Sequence, residues 1–121
     1  MNNKEYIENV LKTESSNFFM EKVDRRLLHG IIGVSTEAGE LLDALKKALF
    51  YGKSIDLVNI KEECGDLLWY ISLIIKAVDG DYESIMATNI KKLQTRYPEK
   101  FSTEKALNRD LVAERKTLET L

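Results

Sequence analysis

Two short acidic blocks carry the chemistry this sequence can offer. Glu37-Ala38-Gly39-Glu40-Leu41-Leu42 is echoed 26 residues later by Glu63-Cys64-Gly65-Asp66-Leu67-Leu68. Each block reads acid, small residue, glycine, acid, two leucines. At about 100° per residue, acids three apart lie about 60° apart on one helix face. Four carboxylates gathered without basic partners repel each other at low dielectric, so their convergence calls for cations. Oxygen-only donors suit Mg²⁺, or Mn²⁺ in its place, better than zinc or copper. A lone Glu-x-x-Glu is usually a solvated helix face, and it is the repeated block that singles these residues out. The candidate metal ligands, and the candidate catalytic residues, are Glu37, Glu40, Glu63 and Asp66. Each mid-helix glycine costs roughly 0.5–1 kcal/mol relative to alanine. Gly39 and Gly65 are therefore expected to mark close backbone approach beside the acids.

These blocks need helices to position them, and the apolar spacing supplies two. Leu27, Ile31, Val34, Ala38, Leu41, Leu45 and Leu49 recur at three- and four-residue intervals, stopping at Tyr51-Gly52. Leu57, Ile60, Cys64, Leu67, Ile71, Ile74 and Val78 mark a second helix, with Ser54 or Asp56 as its N-cap. The loop of about five residues between them favours antiparallel packing, which brings the two acid pairs together. A third helix, capped by Asp81, ends near Arg96, because the residue before Pro98 is driven from the α region. An amphipathic segment over 4–12 and one charged helix over 103–118 complete the chain. The expectation is an all-α helical bundle of four to five helices, forming a single domain over 1–121, with its core completed by oligomerisation.

Composition narrows the function classes. Of 121 residues, 18 are basic and 20 acidic, for a net charge of −2, which leaves no broad nucleic-acid footprint or polybasic membrane anchor. One cysteine excludes an intramolecular disulfide framework or a Cys-rich zinc site, and one histidine excludes a two-His metalloprotease motif. The first ten residues carry no apolar signal core, and no stretch reaches the length of a membrane span. The expected location is cytoplasmic, without membrane or nucleic-acid partners.

The order of motifs resembles a known family. Glu37-x-x-Glu40, 22 residues, then Glu63-x-x-Asp66, within STEAGELLDALKK and EECGDLLWY, is similar to the MazG-type all-α nucleoside triphosphate pyrophosphohydrolases. Asn89-x-x-Lys92-Leu93-x-x-Arg96-Tyr97-Pro98 extends the likeness, which spans roughly Leu27 to Phe101. The resemblance implies that the four acids hold Mg²⁺, which grips a nucleotide triphosphate. Water then attacks phosphorus, releasing a nucleoside monophosphate and pyrophosphate. It also implies a homodimer or homotetramer.

On this reading Asn89, Lys92 and Arg96, spaced i, i+3, i+7, are the substrate-binding residues of the third helix. Lys92 and Arg96 would meet the phosphates, and Asn89 sugar or phosphate oxygens. Tyr70, four residues past Asp66, is a candidate for the nucleoside pocket, with a core or interface tyrosine as the alternative. Trp69, Phe18 and Phe19 either stack on a base or pack between subunits. His29 reads as a structural or interface histidine, being three helical turns from Glu40. Two alternatives remain open: a dUTP/dCTP- or phosphoribosyl-ATP-type pyrophosphatase of the same superfamily, and a non-catalytic helical interaction module.

Overall fold

A computed structural model describes residues 1–120. Among these the regular structure is six α-helices and one 3₁₀ turn, with no strand: α1 Asn3–Thr13, α2 Arg25–Tyr51, α3 Leu57–Ala77, α4 Tyr82–Arg96, α5 Thr103–Leu107 and α6 Leu111–Leu118. The all-α expectation holds. No helix among the described residues is long and apolar enough to cross a membrane.

Local chemistry sets each boundary. Asn2 and Glu5 form a reciprocal capping box on α1. Asp24 caps α2 by accepting from the Leu27 N–H, and Gly52 ends the helix in the left-handed region at φ 63°. Asp56 caps α3 through the Val58 and Asn59 N–H groups, and Asp81 caps α4 through Ser84 N–H. α4 stops at Arg96, and Tyr97, forced extended by Pro98, leaves the helical region.

Two expectations need correction. The charged C-terminal segment is two helices, not one. The Asp110 side chain accepts from the Ala113 N–H and starts α6 afresh after Asn108 leaves the helical region. The amphipathic N-terminal helix stops at Thr13, so Phe18 and Phe19 lie in the connection before the 3₁₀ turn at Met20–Lys22.

The packed pairs are α2 with α3 and α4 with α6. The α2–α3 seam uses only part of the apolar stripe, whose Leu27, Val34 and Leu41 are half-buried. α2 buries Gly30, Gly33 and Ala44, while Ile31, Leu45 and Leu49 of the expected stripe stay 50%, 43% and 67% exposed. Two small residues let the backbones close up. A β-carbon on Gly30 would stand 2.6 Å from Ile74 Cγ1, and one on Gly33 would overlap the Tyr70 ring. Ala44 and Ile75 are the buried apolar side chains among the described residues. The chain exposes 10205 Å², where a compact monomer of this length exposes about 6,700 Å².

Candidate active site

Along the α2–α3 seam the acids meet. Glu37 from α2 and Glu63 and Asp66 from α3 each bring a carboxylate oxygen within 4.8 Å of the others. Glu63 is buried at 4% exposure. Its Oε1 accepts from Asn59 Nδ2 at 2.7 Å, while Oε2 is buried with no partner. A buried, unpaired carboxylate oxygen costs free energy unless a cation or donor meets it. That orphaned atom, beside two further acids and with only oxygen donors present, fits a hard divalent ion.

Glu37 is half-buried, and its carboxyl is pushed above the usual carboxylate range. Desolvation is the largest cause, followed by the charges of Glu40, Asp66 and Glu63, with a hydrogen bond from the Thr36 hydroxyl opposing them. Glu40 is exposed and outside the converging three, yet near enough for its charge to act on Glu37. The helix-edge location read from the sequence therefore brings three of the four acids together and leaves the fourth beside them.

The glycines of the acidic blocks do not serve as expected. A β-carbon on Gly39 or Gly65 would meet nothing within 4 Å. The close approach lies one to two turns earlier in α2, at Gly30 and Gly33. The Gly-x-x-Gly in HGIIG was the readable signal, because residues three apart share a helix face.

Tyr70 is half-buried with its ring against Gly33, edge-on to His29 at 5.6 Å and Trp69 at 4.9 Å between centroids. On α4, Asn89 is exposed and Lys92 half-buried. Arg96 does not point free into a site within this chain. It grips Glu114 of α6 through Nε at 2.7 Å and Nη2 at 2.6 Å. Arg109 holds the same carboxylate from the other side, with Nη2 at 2.6 Å. Glu114, 3% exposed, is drawn down to about 2 by these two arginines. α4 thus lies along α6, and meets α3 through the Tyr82 hydroxyl, which donates to Leu68 O at 3.0 Å.

Residues 25–101 match the family model of the MazG nucleotide pyrophosphohydrolase domain. The chain belongs to this family. Its matched part contains α2, α3 and α4, so it includes all four acids and the α4 polar face, while α6 and Glu114 lie outside it. No curated protein and no solved structure matches the chain in the corresponding searches. The MazG assignment gives the acidic cluster a chemical context, nucleotide pyrophosphate hydrolysis, that the three converging carboxylates suit.

Proposed function

We propose that this MazG domain is a Mg²⁺-dependent nucleoside triphosphate pyrophosphohydrolase that clears surplus or non-standard nucleotides. The observation carrying the proposal is the buried, unpartnered Glu63 Oε2 beside Glu37 and Asp66. Glu37, Glu63 and Asp66 would hold Mg²⁺ or Mn²⁺, with Glu40 as the fourth acid of the set. When bound, the ion supplies charge neutralisation at the phosphates and acidifies a water.

The chain's own residues do the rest. Asn59 fixes one oxygen of Glu63 and so sets the direction of the other. Water adds to the α-phosphorus, the bond to the bridging oxygen breaks, and pyrophosphate leaves carrying that oxygen. A carboxylate of the cluster takes the proton. Asn89 and Lys92 remain candidate contacts for sugar and phosphate. Arg96 can join them only by exchanging Glu114 for phosphate, since its guanidinium is already engaged bidentately.

The uncovered surface supports the same reading. The exposed area exceeds that of a compact monomer by roughly half, and Ile31, Leu45 and Leu49 form an uncovered apolar stripe on α2. A homodimer or homotetramer would cover it.

The test is pyrophosphate release from a panel of ribo- and deoxyribonucleoside triphosphates, with and without Mg²⁺. Release is expected only with the ion, and Asp66→Asn or Glu40→Gln should lower it on the order of 100-fold. If no triphosphate yields pyrophosphate, the chain is better read as a non-catalytic helical interaction module.

A further inference from the structure

The face of the α2–α3 pair that carries Asp66 continues into a second feature. Asp66, Trp69 and Leu73 follow the i, i+3, i+7 spacing of one helix face. Opposite Trp69 and Leu73, at the start of α2, stand Asp24, Arg25, Arg26 and His29, and these six residues line an open cavity of about 350 Å³. By helical rise, Trp69 is about 4.5 Å and Leu73 about 10 Å along the axis from Asp66. On α3 the cavity wall therefore starts one turn from Asp66, while on α2 its nearest lining residue, His29, lies about 12 Å along the axis from Glu37.

Its walls differ in kind from the other end of the seam. At the α2–α3 turn, a cavity of about 500 Å³ is lined by Lys47, Lys53 and Asn59 among others, with no aromatic side chain. The Trp69 cavity combines two rings with two guanidiniums. His29 and Trp69 stand edge-on at 6.2 Å, and both pack against Tyr70, whose ring is seated on Gly33. The rings are thus backed by the contact of Tyr70 with Gly33 between the two helices. Asp24 uses Oδ1 to cap the Leu27 N–H at 2.9 Å, so its carboxylate is fixed in place at the rim.

We infer that this cavity is the nucleobase seat of the enzyme and that it takes a 6-oxopurine, guanine above all. The inference rests on the pyrophosphohydrolase reading for the position of the phosphates. A planar base stacks on the Trp69 face, with the His29 ring, edge-on to the indole, against the base's rim. A guanidinium from Arg25 or Arg26 bonds the paired acceptors O6 and N7, which guanine presents and adenine or a pyrimidine does not. The remaining oxygen of Asp24 accepts from the N1–H and N2–H donors on the opposite edge of the same base.

Trp69 is the sole tryptophan of the chain, so its emission reports on this cavity alone. With Ca²⁺ in place of Mg²⁺ to suppress turnover, GTP should quench Trp69 emission, and tripolyphosphate, which has no base, should not. In Mg²⁺, kcat/KM for GTP should exceed that for CTP and ATP. Trp69→Ala and Arg26→Ala should each lower kcat/KM for GTP by about tenfold, while tripolyphosphate inhibits variants and parent equally. If GTP is hydrolysed but leaves Trp69 emission unchanged, or if the variants lose GTP and CTP turnover equally, the base seat is elsewhere and the hydrolase reading survives. If guanosine nucleotides quench Trp69 but no triphosphate is cleaved, the seat stands and the hydrolase reading falls.

Discussion

Asn59 Nδ2 donates to Glu63 Oε1 at 2.7 Å across one turn of α3, and the other oxygen of that carboxylate is left buried and unpaired. One residue thereby holds one oxygen of a buried carboxyl group while the other has no partner. The helix is set up for something positive at that point.

Glu63→Gln should raise the stability of metal-free protein, because the amide can donate to Glu37 or Asp66 and the buried orphan oxygen is gone. Relief of a buried unsatisfied group is worth about 1–3 kcal/mol. Mg²⁺ or Mn²⁺ at 100 times its dissociation constant should stabilise the parent by about 2.7 kcal/mol and the variant hardly at all. Thermal melts with and without the ion check both statements. A parent whose Tm ignores both ions would remove the metal site.

Alanine scanning of the glycines should split into two classes. Gly33→Ala drives a methyl group into the Tyr70 ring, and overpacking of this kind costs about 1–3 kcal/mol. Gly39→Ala and Gly65→Ala meet nothing within 4 Å, so they should gain about 0.5–1 kcal/mol of helix propensity. Chemical denaturation measures all three. A loss at Gly39 or Gly65 would reveal that a second copy packs on that side.

The Glu114 carboxylate is held down from 4.5 to about 2 by Arg96 and Arg109. A depressed carboxylate contributes stability that is complete above its unfolded value and disappears as pH falls through its folded value. Unfolding free energy should therefore decline as pH drops from about 4.5 towards 2. Glu114→Gln should lower Tm by several degrees at neutral pH, since two arginines lose a shared anion, and should flatten this part of the pH profile.

The uncovered α2 stripe predicts association. Light scattering should give a mass of two or four chains at micromolar concentration, and Leu45→Glu with Leu49→Glu should shift it towards one. A monomeric parent would leave Ile31, Leu45 and Leu49 as solvent-facing residues with no partner.

Much of this architecture was legible because short-range rules govern it. Asp81, Asp56 and Gly52 sit where capping chemistry puts them, and Pro98 ends α4 on schedule. The acid blocks stood out because their spacing repeats. The apolar stripe of α2 marks the α2–α3 contact only in part, because three- and four-residue spacing does not say which of its members face α3. Leu45 and Leu49 stay exposed while Leu27 and Leu41 are half-buried, and the fully buried positions are Gly30, Gly33 and Ala44, where small size lets the backbones close up. Arg96 was unreadable for another reason. Its partner Glu114 is 18 residues away on a helix whose start depends on Asp110, and no local pattern joins the two.

The seating of Tyr70 on Gly33 has a consequence beyond stability. Glu37 stands on one helix while Glu63 and Asp66 stand on the other, so the spacing between backbones is also the calibre of the opening between the acids. A methyl group at Gly33 would widen that opening without touching a carboxylate, and would tilt the site from small cations such as Mg²⁺ towards larger ones such as Ca²⁺. For a metal held by these acids, ionic radius would be gauged by a hydrogen atom where most residues carry a side chain.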